Sequence, residues 1–293
     1  MRPSNPRIPF VLSSDRPRLE LPGGKRLLVH LVVNVEYWPF EGKMPRAVLP
    51  LSSGISPVPD VANFSWFEYG VRCGLPRIMR ALDKRRIAAS CSINAAVIDV
   101  YPSAATAIRS VGWEMIGHCY EQKILTLETE EDVIRQTINR ISSFAGRSVT
   151  GWQGAGMVET VNTPEVLKAA GIRYVCDWGI DDLPCWMATA GGPLIAIPGN
   201  VAIDDAVVYP IQQHSSDELY KRLLDTLATF ESELSPNVHV VPIALHPHVI
   251  GDPHRFPYLE RMLDLLTERA DTIFMTGTQI ADWFATAEPF ENA

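Results

Sequence analysis

The stretch RLLVHLVVNV, residues 26–35, indicates the fold class of this protein because it is almost continuous leucine and valine. Strands that are apolar on both faces are typical of parallel sheets covered on both sides. The chain leaves this stretch through Glu36, with Asn34 two residues earlier. Residues 26–36 therefore predict the first strand of an α/β sheet, followed directly by a carboxylate.

Short apolar runs alternate with amphipathic helical patterns along the rest of the chain. One predicted helix has an apolar stripe that ends at Gly146, and Thr129 with Asp132 resembles a capping box at its start. Further helices are predicted over 74–86, about 102–111, 162–171, 216–234, about 258–270 and a last segment through Trp283. Further strands are predicted over 87–93, 113–118, 148–152, 172–178, 193–199, 239–246 and 272–277.

This alternation predicts parallel strands joined by helical crossovers. Seven or eight such β/α units in one chain favour a barrel over an open sheet. Residues 37–68 form the longest irregular stretch, rich in proline, glycine and aromatic residues. Loops of that length usually serve as lids or binding loops, so we expect this one to lie near the site.

Composition excludes several classes of protein. The chain has 293 residues, 46% of them hydrophobic, and a net charge of -8 without a basic cluster, so we expect no nucleic-acid partner. No apolar run approaches the ~20 residues of a membrane span, and residues 1–25 form a polar, proline-containing arm rather than a signal peptide. We therefore expect a cytoplasmic protein without a membrane partner. Five cysteines without CxxC spacing predict neither a disulfide framework nor a thiolate metal site.

Polar or aromatic residues mark the carboxyl ends of the predicted strands, which is where the active site of a parallel barrel lies. These residues are Asn34, Glu36, Asn94, His118, Trp152, Asp177, Asn200, His246 and Thr276. Each placement is weak alone, because polar residues are common where strands meet loops. Their coincidence on one rim predicts an enzyme.

Two histidines and one glutamate are the strongest candidates on this rim. His118 has three readings: a catalytic residue, a metal ligand, or a histidine bonded to a backbone carbonyl. His246 is followed by Pro247, which interrupts the strand before His248, so we do not expect those two histidines to share a metal. Glu36 would cost desolvation energy unless it is paired, for instance with Arg46, or used in catalysis, and we favour catalysis. The remaining histidines are assigned to structure or to solvated loops: His30, His214, His239 and His254.

Five ordered segments together resemble the polysaccharide deacetylase superfamily (NodB homology, carbohydrate esterase family 4-like). They are VNVEYW (33–38), GHCYEQ (117–122), GWQG with NTPEVLKAAGIRY (151–154 and 162–174), DDLPCW (181–186) and LHPHVIGDPHR (245–255). The branch most similar to this chain contains metal-independent allantoinases and peptidoglycan deacetylase-like proteins. The resemblance implies a distorted, incomplete (β/α) barrel that forms one catalytic domain over residues 1–293. It also implies hydrolysis of carbon–nitrogen bonds other than peptide bonds.

The chain departs from the metal-dependent members at two positions. The resemblance places Glu36 and His118 at metal-binding positions, but Gln122 stands where those members have a second histidine. Asn34 stands where they usually have an aspartate base. Zinc sites in enzymes use three good protein ligands, and a glutamine amide is a poor one. We therefore expect no metal cofactor, with a divalent ion such as zinc on Glu36 and His118 as the alternative.

The resulting hypothesis is hydrolysis of a small amide, a cyclic ureide or an N-acyl group such as that of an acetylated sugar. Glu36 or His118 activates water, and His246 protonates the departing nitrogen or stabilises the oxyanion. Asn34, Trp152, Asp181, Asp182 and Trp186 are the candidate substrate-binding residues. The resemblance also implies a homo-oligomer, dimer or tetramer, in which the DDLPCW segment can serve a neighbouring subunit.

Three alternatives stay open. The first is a metal-dependent deacetylase whose third ligand comes from elsewhere, such as His246 or His248. The second is a ligand-binding relative that has lost catalysis. The third is an unrelated barrel enzyme such as an aldolase, which would place a reactive lysine at a strand end, and none of the ends named above carries one.

Overall fold

The computed structural model describes residues 3–48, 57–199, 201–233 and 237–290. Nine strands form one sheet within this part of the chain. They are β1 (Leu27–Val35), β2 (Ser90–Ile93), β3 (Glu114–Gly117), β4 (Gly151–Trp152), β5 (Tyr174–Val175), β6 (Cys185–Met187), β7 (Leu194–Ala196), β8 (His239–Leu245) and β9 (Thr272–Phe274). The eight strands predicted from the sequence are confirmed, and β6 is an addition.

The strand order is β6-β7-β5-β4-β3-β2-β1-β8, and β9 also pairs with β1. Neighbouring strands are parallel except for β6, which runs antiparallel to β7. Among the described residues the pairing does not return from β6 to β8, so the curled sheet stays open. The prediction of a distorted, incomplete (β/α) barrel is confirmed.

Helices follow most of the strands, as the alternation predicts. The α-helices are α1 (Val61–Tyr69), α2 (Leu75–Arg85), α3 (Val97–Val100), α4 (Pro102–Ser110), α5 (Glu130–Ala145), α6 (Thr163–Ala169), α7 (Asp205–Val208), α8 (Glu218–Ser232), α9 (Phe256–Glu268) and α10 (Gly277–Ala287). A π-helical segment, Gly70–Gly74, connects α1 to α2. Within the described residues no helix has both the length and the apolar character of a membrane span.

Three local predictions are corrected. The loop predicted over 37–68 is shorter, because α1 already begins at Val61; residues 49–56 of this loop lie outside the described part. Thr129 precedes α5, but its side chain makes no capping bond and instead contacts Thr126. The sequence patterns predict no strand in the DDLPCW segment, but Cys185–Met187 forms one and pairs with β7.

The two faces of the sheet bury different kinds of side chain. Because side chains alternate along a strand, the even-numbered residues of β1 share one face, and these include His30 and Asn34. His30 lies on the concave face, where Leu28 also packs in a smaller apolar cluster. The odd-numbered residues, such as Val33, join the larger apolar core beneath the helices. The concave face therefore leads from apolar packing at the amino ends of the strands to polar residues at their carboxyl ends.

Candidate active site

Glu36 and His246 meet at the carboxyl ends of two neighbouring strands. The parallel register of β1 and β8 pairs Val33 with Leu245, so both strands end at the same level of the sheet. The Nε2 atom of His246 lies 3.6 Å from Oε1 of Glu36, and both residues are buried. The other carboxylate oxygen of Glu36 accepts a hydrogen bond from Nε1 of Trp38 at 2.6 Å. Glu36 thus accepts one hydrogen bond, from Trp38, and faces His246 with its other oxygen, whereas Arg46 donates to the carbonyl of Ala206.

A buried aspartate orients His246. Asp205 begins α7, and its Oδ1 lies 2.7 Å from Nδ1 of His246. Its Oδ2 accepts the backbone N–H groups of His246 at 2.8 Å and of Ile250 at 3.1 Å. Because the carboxylate is acceptor-only, His246 donates from Nδ1 and presents Nε2 to Glu36. Asp205 therefore fixes both the ring and the loop that carries it.

The charges around His246 favour its protonated form. Burial by itself would lower the pKa of His246, but the carboxylates of Asp205, Asp204 and Glu36 raise it to about 9. His246 is consequently an imidazolium at neutral pH, with an acidic proton on Nε2 beside Glu36.

His118 has the opposite protonation state. It ends β3 and is followed by Cys119, whose φ of 61° turns the chain sharply. Nδ1 of His118 lies 2.7 Å from the carbonyl oxygen of Gln153, so Nδ1 carries the proton and donates it. Burial lowers the pKa of His118, since it outweighs the nearby Glu36 carboxylate, and the proximity of His246 lowers it further. Nε2 of His118 therefore carries a buried lone pair that makes no well-formed hydrogen bond among the described residues, with the Gln122 side chain close enough to interact with the ring.

Asn94 connects the ends of three strands at this site. Its Oδ1 accepts the backbone N–H of Tyr37 at 2.8 Å, directly after Glu36. Its Nδ2 donates to the carbonyl of His118 and to Oε1 of Gln122, the latter at 3.3 Å. The amide of Asn94 thus holds the chain segments that carry Glu36 and His118 in register.

A family model and a curated relative both point to polysaccharide deacetylases. Residues 59–175 match the family model described as polysaccharide deacetylase. A putative polysaccharide deacetylase from Schizosaccharomyces pombe is 25% identical over 260 residues, with 80% of each chain covered. The chain is thus similar to polysaccharide deacetylases, as the resemblance of its sequence motifs predicts.

Two solved structures show the same fold. The PuuE allantoinase superposes with a TM-score of 0.84 at 23% identity, covering 95% of this chain and 96% of the allantoinase. A probable polysaccharide deacetylase from Pseudomonas aeruginosa PAO1 gives 0.82 at 23% identity, covering 94% and 97%. At these identities the likeness concerns the fold alone.

The residues at the metal positions of metal-dependent deacetylases do not fit zinc well. Gln122 offers a neutral amide oxygen that already accepts from Asn94. Glu36 accepts from Trp38, and the imidazolium of His246 lies beside it. A divalent cation on Glu36 would lie close to this positive charge and would be repelled by it. For these reasons no chemical step is assigned to a metal at these residues.

A second cluster of possible metal ligands also makes hydrogen bonds to protein donors instead of to an ion. Asp204, Asp205 and His246 offer ligand atoms within 4.8 Å of one another. However, Oδ1 of Asp204 accepts the N–H of Ala206, and both oxygens of Asp205 accept from the His246 loop. These hydrogen bonds satisfy the carboxylates without an ion.

Four of the predicted substrate-binding residues do not share this site. Trp152 packs in the outer core beneath the helices, because side chains alternate along the chain and the next residue, Gln153, faces the side of the sheet that carries His30. Asp182 accepts the N–H of Val240 through its carbonyl, which places it at the amino end of β8, opposite His246. Asp181 is paired with Arg16 at 2.7 Å.

Trp186 also lies away from Glu36. Its Nε1 donates to the carbonyl of Glu288, and its ring packs against Phe284 and Phe290. Asn34 is the one predicted substrate-binding residue that the structure places beneath Glu36, two residues earlier on the same face of β1. Asn200 lies outside the described residues.

His248, the alternative third metal ligand, and Cys119, which directly follows His118, are both structural. The ring of His248 packs edge-on against Trp38 and Trp66, and burial lowers its pKa well below the ordinary value. Burial raises the pKa of the Cys119 thiol to about 12, which leaves it un-ionised at neutral pH and a poor nucleophile.

Sequence reasoning missed Asp205, Trp38 and Gln153. Asp205 follows the apolar residues Val201–Ile203 as part of an acidic pair, and such a pair after an apolar run is a signal that a reader of the sequence can use. The role of Gln153 rests on its backbone carbonyl, so its side-chain type carries no such signal.

Proposed function

We propose that this protein hydrolyses a carbon–nitrogen bond in a small amide, a cyclic ureide or an N-acyl group. The observation that carries this proposal is the convergence of two buried histidines on Glu36, with Nε2 of His246 3.6 Å from Oε1 and His118 near enough to interact with the carboxylate charge. His118 offers a free lone pair on Nε2, and His246 offers a proton on Nε2, with Glu36 beside the latter. Hydrolysis of an amide needs both a base for water and an acid for the leaving nitrogen.

The reaction proceeds in two steps. A water molecule donates a proton to Nε2 of His118 while its oxygen attacks the carbonyl carbon. The tetrahedral intermediate then collapses, the carbon–nitrogen bond breaks, and the nitrogen takes the proton from Nε2 of His246. The carboxylic acid first formed loses its proton to give a carboxylate, and one proton returns to His246 and restores its imidazolium. The proton on His118 passes to solvent or to the product amine.

Glu36 serves this reaction by position and charge. Its carboxylate keeps His246 protonated and accepts a hydrogen bond from the attacking water or from the substrate nitrogen. Its Oε2 already accepts the N–H of Trp38 and its Oε1 lies 3.6 Å from Nε2 of His246, so we assign the role of base to His118. A positioned acid or base contributes roughly 10²–10⁴-fold to such a reaction.

The proposed mechanism uses no cofactor, and metal analysis tests this point. Protein purified without chelators is expected to contain much less than one equivalent of zinc or a similar ion, and EDTA is expected to leave turnover unchanged. Stoichiometric metal together with EDTA-sensitive turnover would support the metal-dependent deacetylase instead.

We further propose that residues 1–293 act as one catalytic domain and that the chain forms a homo-oligomer. Asp181 pairs with Arg16 and Trp186 donates to the carbonyl of Glu288, contacts that hold both side chains apart from Glu36 of their own chain. Light scattering at micromolar concentration is expected to give the mass of a dimer or tetramer. A monomer would remove the idea that the DDLPCW segment serves a neighbouring subunit.

Turnover assays test the proposed reaction directly. Allantoin represents cyclic ureides and N,N'-diacetylchitobiose represents N-acetylated sugars. We expect release of an amine or a ring-opened acid from one of these, and a loss of roughly 10²–10⁴-fold in kcat for His118→Gln. Near-normal kcat in that variant would contradict the assignment of His118 as base.

A further inference from the structure

The peptide group between Gln153 and Gly154 is held by a side chain on each side. Its carbonyl oxygen, which belongs to Gln153, lies 2.7 Å from Nδ1 of His118. Its N–H, which belongs to Gly154, donates to both carboxyl oxygens of Asp177, at 3.0 Å and 2.9 Å. Because a peptide group is planar and rigid, these bonds connect Asp177 to His118 through one stiff unit.

This peptide group lies where the backbone pairing of β4 ends. The N–H of Gln153 still donates to the carbonyl of Gly117 at 2.9 Å, and the N–H of Cys176 donates to the carbonyl of Trp152 at 3.0 Å. One peptide farther along, side chains replace backbone groups on both sides of the chain. The Gln153 carbonyl therefore has Asp177 as its support on the side away from His118.

Glu159 in turn holds Asp177. Oε2 of Glu159 accepts the N–H of Trp178 at 3.0 Å, and Oε1 is buried without a hydrogen-bond donor among the described residues. Burial raises the pKa of Asp177 well above its ordinary value, and the facing carboxylate of Glu159 raises it further. Two ionised carboxylates could only accept, so a proton on Asp177 supplies the bond to Glu159. Asp177 is thus tied to Glu159 while it accepts from Gly154.

The bond to Gln153 decides which ring nitrogen of His118 carries the proton. A neutral imidazole can be protonated on either nitrogen, and the partner of one nitrogen selects the tautomer. The Gln153 carbonyl selects the Nδ1–H tautomer and leaves the lone pair on Nε2, the atom that takes the proton of water in the proposed reaction. A displaced carbonyl would permit the opposite tautomer, which has no lone pair on Nε2.

We propose that Asp177 is a positioning residue that fixes the Nδ1–H tautomer of His118 through the Gln153–Gly154 peptide group. This inference rests on the proposed function, because it assigns the residue that prepares the base of that reaction. Asp177 carries out no step of the reaction itself and acts only through the peptide group.

Nitrogen-15 NMR of histidine-labelled full-length protein at pH 7.5 measures the tautomer of His118 without a substrate. Asp177→Ala removes the acceptor of the Gly154 N–H, and we expect Nε2 to be protonated in a measurable fraction of the molecules. Asp177→Asn is expected to keep the Nδ1–H tautomer, because its amide can accept from Gly154 and donate to Glu159. Asp177→Leu, which resembles the aspartate in shape but has no oxygen, is expected to behave like Asp177→Ala and replaces it if the alanine variant does not fold.

Thr163→Val is the matched control for a general loss of order in the neighbouring loop. The Thr163 hydroxyl donates to Glu130 at 2.7 Å and accepts the N–H of Thr160 at 2.8 Å, bonds that do not involve the Gln153–Gly154 peptide. This variant is expected to lower the thermal midpoint and to keep the wild-type tautomer. In turnover assays we expect Asp177→Ala to lower kcat by roughly 10-fold or more with little change in KM, and Asp177→Asn to stay close to the wild type.

The outcomes separate this inference from the proposed function. A shifted tautomer in Asp177→Ala that is absent from Asp177→Asn and Thr163→Val supports the inference even if no substrate is turned over. A wild-type tautomer in both Asp177→Ala and Asp177→Leu overturns it even if turnover is found. So does an equal shift in Thr163→Val, which would reflect a general loss of order. An equal shift in Asp177→Asn also overturns it, since the carboxyl group and not the hydrogen bond to Gly154 would then control His118.

Discussion

At the scale of single residues, Glu36 carries the most direct prediction. Glu36→Gln keeps the size of the side chain and an oxygen that can accept from Trp38, but it removes the charge beside His246. We expect kcat to fall by roughly 10²-fold or more, because the acid loses its charged partner and the water its acceptor. Circular dichroism is expected to show an unchanged fold. Near-normal kcat on the true substrate would show that Glu36 is not part of the mechanism.

Asp205 carries a second residue-level prediction, in the pH dependence of kcat/KM. In the wild type we expect an alkaline limb near pH 9, where His246 loses its proton. An acid limb is expected below the ordinary histidine range, where His118 becomes protonated. Asp205→Asn keeps an acceptor for Nδ1 but removes the charge that raises the pKa of His246. The alkaline limb should therefore move down by roughly one pH unit or more, and an unmoved limb would contradict the role of Asp205.

At the scale of elements, the π-helical segment Gly70–Gly74 supports the loop after β8. A Cβ atom at Gly74 would overlap the carbonyl oxygen of Pro247, and one at Gly70 would overlap the backbone of His248. The absence of side chains at these two positions lets the helix backbone touch the loop that carries His246. π-helical segments recur at functional sites, and this one packs against Pro247 and His248, which directly follow the candidate acid His246.

Gly74→Ala tests this contact between elements. We expect a loss of about 1–3 kcal/mol in the free energy of unfolding, since the added methyl group forces the backbones apart. Urea denaturation provides the measurement. Gly191→Ala is the control, because its Cβ would meet only the flexible side chain of Lys168 at 3.2 Å. Equal stabilities for the two variants would argue against close packing at Gly74.

At the scale of the whole molecule, stability should depend on pH through His246. Its pKa in the folded protein is about 9, above the ordinary value of 6.5. The stabilisation is therefore fully present below pH 6.5 and is lost as the pH rises through about 9. We expect the free energy of unfolding to fall by an amount on the order of 1–3 kcal/mol over this interval. His246→Gln should flatten that part of the curve, and an equally steep fall in the variant would place the titrating group elsewhere.

Much of the architecture can be predicted from the sequence because it depends on local patterns. The continuous apolar run of β1 and the alternation of strands and helices indicate a parallel barrel. Parallel strands end on one rim, so Glu36, His118 and His246 are recognisable as neighbours despite their separation along the chain. The same reasoning could not find Asp205, because its position depends on how the short helix α7 packs against β8.

Three predicted substrate-binding residues lie away from Glu36 for a similar reason, namely Asp181, Asp182 and Trp186. The antiparallel strand β6 and the ion pair between Asp181 and Arg16 hold their segment elsewhere. Both contacts join residues that are distant in sequence, and no local pattern specifies them. The prediction that Trp152 binds substrate is wrong for a simpler reason. Strand alternation places its side chain in the outer core, and the neighbouring Gln153 contributes its backbone carbonyl to the site.

The proposed mechanism requires that, in the protein without substrate, His118 is neutral and His246 is protonated. Nitrogen-15 NMR of histidine-labelled full-length protein measures both states without a substrate, with His118→Gln and His246→Gln used to assign the signals. At pH 7.5 we predict protons on both nitrogens of His246, a titration midpoint near 9, and a single proton on Nδ1 of His118. A neutral His246 at pH 7.5, or a proton on Nε2 of His118, would contradict the account.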